Sequence, residues 1–232
     1  MWKRRISEGK ETGGYKRGQI IFYENNIVQG MHFIYDGKVK IFSIGKKNRK
    51  PIFRLASRGE ILGLGGYPVI NYVVSSMTLS DTIICRVPKE LFFHALKANT
   101  DLAVYLVHYY SRQVADSEIQ QKHRMFFNTA AKVAEALLMV RKKFGKETPN
   151  GILLDVAFSR QDLANLAGIA YEETIRILST FKRQDIISLH KNKIMILESK
   201  RLWDMIIEQC CDEEGYPEKE VKCCNHLLDV SQ

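Results

Sequence analysis

Between Gln19 and Val87 apolar and polar positions alternate in short runs separated by turn residues, a pattern that predicts the strands of a β-sandwich or barrel. Met31 to Tyr35 is aromatic and apolar, Asp36-Gly37 is a turn signal and Val39-Lys40-Ile41 alternates, which predicts a β-hairpin over residues 31–43. Further runs at Ile52 to Leu55, Ile61 to Leu64, Tyr72 to Met77 and Thr82 to Val87 recur at the spacing of an all-β fold. After Pro88 the period changes. Lys89 to Lys97, with Leu91, Phe92, Ala95 and Leu96, reads as a short helix. Asp101 to Arg124 contains neither Gly nor Pro and carries Leu102, Leu106, Tyr109, Tyr110, Gln113, Val114 and Ser117 at three-four spacing. That face is too long for one small β domain to cover, which favours pairing with a second copy; an ordinary buried helix is the alternative.

Asn128 is placed to cap a further helix through Val133, Ala134, Leu137, Leu138 and Val140, which ends at Arg141-Lys142-Lys143 and Gly145. Thr148-Pro149-Asn150-Gly151 reads as a turn and Ile152 to Ala157 as a strand. Residues 158–183, FSRQDLANLAGIAYEETIRILSTFKR, have the pattern of a helix-turn-helix. Ser159 is a natural N-cap with Asp162 completing a capping box, and Leu163, Leu166 and Ala167 share one apolar face. Gly168 permits the left-handed residue that closes the first helix. In the second, at about 100° per residue, Thr174, Ile175, Leu178 and Phe181 fall on one side. Glu172, Arg176, Ser179 and Arg183 fall on the other. An Arg can bond guanine O6 and N7 and a Glu can accept from cytosine N4, so this stripe suits base reading. A solvated face with a Glu172–Arg176 ion pair is the plainer alternative. Ile187 to His190 and Ile194 to Leu197 flank Lys191-Asn192-Lys193, a hairpin whose basic tip suits phosphate.

With 232 residues the chain suits two domains. Its formal charge of +9 favours a polyanionic partner, and the distribution sharpens that. Residues 126–207 hold 13 Lys or Arg against 9 Asp or Glu, whereas residues 208–232 hold 2 against 7, so the last stretch is an acidic tail. No apolar run suits a membrane span, and Lys3-Arg4-Arg5 is followed by polar residues where a signal peptide would be apolar; no membrane partner and a cytoplasmic location are expected. Cys85 and the doublets Cys210-Cys211 and Cys223-Cys224 do not form a secreted disulfide framework. The doublets with His226 offer soft ligands, but adjacent cysteines are poorly spaced for zinc and no metal site is expected. Lys46-Lys47-Asn48-Arg49-Lys50 reads as a solvated loop. A jelly-roll oxygenase would need two histidines and a carboxylate, and only His32 lies in a predicted strand, so no enzyme is expected.

The stretch Ser159 to Leu178 resembles the recognition motif of the CRP/FNR family of transcription regulators, and the likeness extends over residues 15–207, with Asp36-Gly37-Lys38-Val39-Lys40 at the family's characteristic hairpin. The resemblance implies an α+β chain: a β jelly roll of cyclic-nucleotide-binding type (1–100), a long dimerisation helix (101–125), a winged helix-turn-helix (126–207) and a Cys-containing tail (208–232). It implies a homodimer on double-stranded DNA, reading an inverted repeat with TGA-like half-site cores, with RNA polymerase as a partner. Ser159, Arg160, Gln161, Tyr171, Glu172, Glu173, Arg176, Ser179, Arg183 and Lys191 are the expected DNA-binding residues. Tyr171 stands where the cyclic-AMP receptor protein has a further base-reading arginine. The corresponding effector pocket is Gly63, Leu64, Gly65, Val74, Ser75 and Ser76. Cyclic-AMP binders of the family place a Glu after the Gly and an Arg before the Ser; this chain has neither, and a buried phosphate without a cation is poorly compensated. Cyclic AMP is therefore not expected as effector, and no resident cofactor is. An iron-sulfur cluster would need several N-terminal thiolates, and the first cysteine is Cys85. His32, His94, His108 and Cys85 are potential haem ligands with a structural role as the alternative. A regulatory module that shares the jelly roll without reading DNA is the competing function.

Overall fold

The computed structural model describes residues 2–45, 50–63, 70–190 and 193–210, and the chain divides into two compact units, Met1–Ala115 and Asp116–Gln232. The first unit contains α1 (Trp2–Gly9), β1 (Glu11–Tyr15), β2 (Ile20–Phe22), β3 (Gly30–Asp36), β4 (Lys38–Phe42), β5 (Ile52–Ser57), β6 (Ile61–Leu62), β7 (Ser75–Thr78), β8 (Thr82–Pro88) and α2 (Lys89–Ala98), and then α3 (Thr100–Phe126) begins. The strands form two antiparallel sheets, ordered β1-β8-β3-β6 and β2-β7-β4-β5. Phe22, Ile34, Val39, Ile41, Ala56, Leu62 and Ile84, drawn from both sheets, share one core. Met31, Ile61 and Val87 pack instead with Phe92 of α2 and Leu106 of α3. β3 is thus buried on both faces, which is why its sequence runs nearly continuously apolar where a half-exposed strand would alternate.

The hairpin expected over residues 31–43 does not form. β3 pairs with β8 and β6, while β4 pairs with β5 and β7, so Asp36-Gly37 is a corner at which the chain leaves one sheet for the other. A strand has two edges, and both edges of β3 are taken. Gly37 has φ +110°, and a Cβ there would lie 2.7 Å from Thr82 Cα. The turn signal marks a sharp reversal but does not specify which strand will be the partner.

α3 divides the face expected to pair with a second copy. Leu106 lies in the core of its own unit, with Tyr109 packed against that cluster. Arg54 donates to Gln113 Oε1 at 2.6 Å, to the Tyr109 hydroxyl at 3.3 Å and to the Ile61 carbonyl at 2.8 Å. Of the face named from sequence, Leu106, Tyr109 and Gln113 therefore turn to the β domain, whereas Tyr110, Val114 and Ser117 are exposed. The exposed large apolar side chains of α3 are Val104, Tyr105, Val107, Tyr110, Val114, Met125 and Phe126.

The second unit contains α4 (Thr129–Phe144), β9 (Gly145–Thr148), β10 (Gly151–Leu154), α5 (Arg160–Ala167), α6 (Tyr171–Arg183), β11 (Ile187–His190), β12 (Lys193–Ile196) and α7 (Ser199–Cys210). Asn128 caps α4 by accepting from the Ala131 amide at 2.9 Å. Leu137, Leu138, Leu163 and Leu178 are fully buried where α4, α5 and α6 meet, each contributing about 1.5–3 kcal/mol. The sheet is ordered β11-β12-β10-β9. β10 stops at Leu154, short of the Ala157 end expected, and pairs with β9, whose largely exposed Gly-Lys-Glu-Thr carries no apolar signal. The β11–β12 hairpin forms as expected, His190 opposite Lys193. Lys191 lies outside the described residues, as do Leu64, Gly65, Lys46 to Arg49, Cys211, Cys223, Cys224 and His226. α7 carries helix through Cys210, into the stretch assigned to the tail.

Candidate DNA-binding face

The start of α5 is fixed by its own sequence. Ser159 Oγ accepts the Asp162 amide at 2.9 Å, and the Asp162 carboxylate accepts the Ser159 amide at 3.2 Å and hydroxyl at 2.8 Å. The Ser159 hydroxyl is therefore engaged in a cap, a contact of about 1 kcal/mol. Gly168, at φ +71°, ends α5 in the left-handed conformation with its amide donating to the Ala164 carbonyl. α6 follows after two residues, and its buried Thr174 donates to the Ala170 carbonyl at 2.9 Å.

α6 buries Thr174, Ile177, Leu178 and Phe181, while Ile175, expected inside, is only half-buried. Glu172, Arg176, Ser179 and Arg183 are all exposed, as is Tyr171. Ser179 Oγ donates to the Ile175 carbonyl at 2.9 Å, and Arg183 donates to Thr180 Oγ1 at 3.3 Å. The ion pair on this helix differs from the one weighed from sequence. Arg176 meets Glu173, with Nη2 to Oε1 at 2.6 Å and Nε to Oε2 at 3.2 Å. Thr129 at the start of α4 also donates to Glu173 Oε1 at 3.1 Å. The Arg176 hydrogen bond, with help from Thr129 and the guanidinium charge, holds the Glu173 carboxyl below its usual range, and the Arg176 guanidinium is raised in turn. This clamp uses one edge of the guanidinium and leaves the other free for a planar acceptor pair. The sequence reading named Glu173 but paired Arg176 with Glu172; the i, i+3 spacing was the available signal for the observed pair.

Arg160 is half-buried, and burial lowers its pKa while neighbouring Tyr171 acts in the opposite sense. Gln161 is exposed and donates to Asn165 at 3.2 Å.

In the β unit, the described part of the expected effector pocket is closely packed. Ser75 and Ser76 are fully buried; Ser75 Oγ accepts the Glu24 amide at 3.0 Å, whereas Ser76 Oγ has no hydrogen-bond partner among the described residues. Val74 is half-buried. A Cβ on Gly63 would lie 2.8 Å from the Tyr72 ring, which stacks on Phe22 at 4.1 Å. His32 lies 5.3 Å from Phe22, with its Nδ1 unpartnered among the described residues; burial first, then Arg86, lowers its pKa to about 4. His94 and His108 are exposed and Cys85 is half-buried. Among the described residues no three His, Cys, Asp or Glu side chains are arranged to hold a metal ion, and no helix is long and apolar enough to cross a membrane.

Comparisons with known proteins agree with this architecture. The family model for the cyclic nucleotide-binding domain matches residues 14–99, and that for the Crp-like helix-turn-helix domain matches residues 131–205. The chain is 25% identical over 189 residues to the transcriptional activator protein anr of Pseudomonas aeruginosa, covering 81% of this chain and 77% of that protein. It is 22% identical over 185 residues to the global nitrogen regulator of a Nostoc species, covering 78% and 83%. A CRP/FNR-family transcriptional regulator from Thermus thermophilus shares the fold with a TM-score of 0.74 at 17% identity, over 86% of this chain and all of that one. With both halves matched, in this order, the chain belongs to the CRP/FNR family of transcription regulators.

Proposed function

We propose that this regulator acts as a homodimer that reads an inverted repeat with TGA-like half-site cores, placing α6 of each protomer in successive major grooves about 34 Å apart. The observation that carries the reading is the exposed stripe of Glu172, Arg176, Ser179 and Arg183, with Arg176 already oriented by Glu173. The capped start of α5 and the β11–β12 hairpin on either side support it. Lys191, which follows β11 in sequence, supplies a phosphate contact, and RNA polymerase is the partner through which binding alters transcription. The exposed valines of α3 favour a second copy as the dimer partner.

Cyclic AMP is not the effector. The position where a phosphate would need a cation holds Val74, Ser75 and Ser76, and the two serines are fully buried. Removing an anion from water there would leave its charge uncompensated.

Fluorescence anisotropy on a labelled duplex carrying the inverted repeat tests this reading. Arg176→Ala is expected to weaken binding by about 10- to 100-fold per half-site and to relax preference at one base pair. Adding cyclic AMP should leave the affinity unchanged. Full affinity with unchanged preference in the Arg176 variant would remove α6 as the reading element.

A further inference from the structure

α4 has a buried carboxylate on its core-facing side, an expensive group to place there without compensation. Glu135 Oε1 lies 2.6 Å from His123 Nδ1, and the two side chains are only 8% and 1% exposed. The His123 ring stacks on Phe127, with centroids 4.0 Å apart and planes 16° from parallel. Its other nitrogen, Nε2, faces Cys210 Sγ at 3.9 Å. Cys210, the last residue of α7, is half-buried, and beside it Gln209 Oε1 accepts the Asn128 amide at 3.3 Å. Arg124 also acts on Glu135 electrostatically. Carboxylate, imidazole and thiol thus stand in a line, in the order in which a carboxylate orients an imidazole and the imidazole activates a nucleophile.

We propose that Cys210 is a hydroperoxide-reactive modification site, with His123 and Glu135 as the residues that position and activate its sulfur. A structural thiol buried among apolar side chains is inert, whereas one beside an imidazolium is held as thiolate. His123 supplies that charge: burial alone would lower its pKa, but hydrogen bonds to Cys210 and Glu135 and their charges raise it to about 9. The thiolate attacks one oxygen of a hydroperoxide, forming an S–O bond and breaking the O–O bond. The electron pair of that bond leaves on the departing oxygen, which takes the proton from His123 Nε2 and departs as water or an alcohol. Sulfur is oxidised by two electrons to the sulfenic acid, the hydroperoxide is reduced, and the imidazole is left neutral. Glu135 then loses the cation facing it through Nδ1. This chemistry stands on the geometry of the second unit and does not depend on how α6 meets DNA.

The test is made on the full chain, reduced and then exposed to hydrogen peroxide in the presence of a dimedone-type sulfenic acid trap. Labelling is followed by peptide mass spectrometry with fragmentation that separates Cys210 from Cys211. Cys85 of β8 is the internal reference, since none of the neighbours described for Cys210 surround it. Cys210 is expected to label about tenfold faster than Cys85 or more. Glu135→Gln should slow Cys210 severalfold while leaving the rate at Cys85 unchanged. Equal rates at Cys210 and Cys85, preferential labelling at Cys211, or a Glu135→Gln protein that is folded and labels Cys210 at the wild-type rate would each overturn the proposal. If the variant does not fold, the comparison of cysteines within the wild-type chain still decides.

Discussion

Glu172 and Glu173 are adjacent in sequence but differ in surroundings. Glu172 is exposed, with no hydrogen bond or ion pair among the described residues, and Glu173 is tied to Arg176 and Thr129. On the proposed reading the first meets a base, while the second orients the Arg176 guanidinium. Glu172→Ala should change which base is preferred at one position of the half-site. Glu173→Gln should weaken binding severalfold to all half-sites while preserving their order, because the reading group remains but is less ordered. Affinities measured across a set of single-base variants of the site separate the two patterns. Melting temperature should scarcely change in Glu173→Gln, since an exposed ion pair adds little to stability. A Glu173 variant that reorders the half-sites would make it a reading residue itself.

At the scale of elements, the sequence was most legible where local chemistry determines local shape. Ser159, Asp162 and Gly168 act within a few residues of themselves, and the helices they bound formed as expected. Where a partner distant in sequence decides, local pattern does not determine the outcome. Asp36-Gly37 marked the reversal but not the sheet that β4 would join, and the apolar spacing of α3 did not reveal which stripe faces the β domain. β9 was missed because nothing in Gly145 to Thr148 is apolar enough to register. In the expected effector region, the sequence shows the lack of a cation at Val74 but not the stacking of Tyr72 on Phe22. In the proposed dimer the exposed positions of α3 put the seam at Val104, Val107 and Val114, which are 49%, 64% and 56% exposed, with Ser111 between them. Their spacing of three, seven and, through Ser111, four residues is that of a coiled-coil stripe. Val107→Glu should yield monomers in sedimentation equilibrium and abolish cooperative binding to the inverted repeat, whereas Gln113→Ala should leave the dimer intact. A dimer that survives Val107→Glu would place the seam elsewhere.

For the whole molecule, each unit contains one buried histidine among its described residues, and the two are perturbed in opposite directions. His32 in the β unit has a folded pKa of about 4, lowered by burial and then by Arg86, against about 6.5 when unfolded. As pH falls from about 6.5 toward 4, the unfolded chain binds a proton that the native unit refuses, so stability present above that window is lost on the acid side. His123 in the second unit is raised to about 9, burial being outweighed by Cys210 and Glu135. Its contribution is complete below about 6.5 and is lost as pH rises through 9. The two units should therefore weaken at opposite ends of the pH scale. Hydrogen exchange read by mass spectrometry, corrected for intrinsic rates, resolves them: protection in β3 and β8 should fall between about pH 7 and 5.5, and protection in α4 and α7 between about pH 7 and 8.5. His32→Leu should flatten the acid limb alone and His123→Gln the alkaline limb alone. Loss of protection in both units on the same side of neutrality would refute the assignment. If, as proposed, α6 of the second unit reads DNA and the exposed stripe of α3 in the first pairs two copies, affinity for the inverted repeat should decline on both sides of neutrality for different structural reasons, each removable by its own substitution.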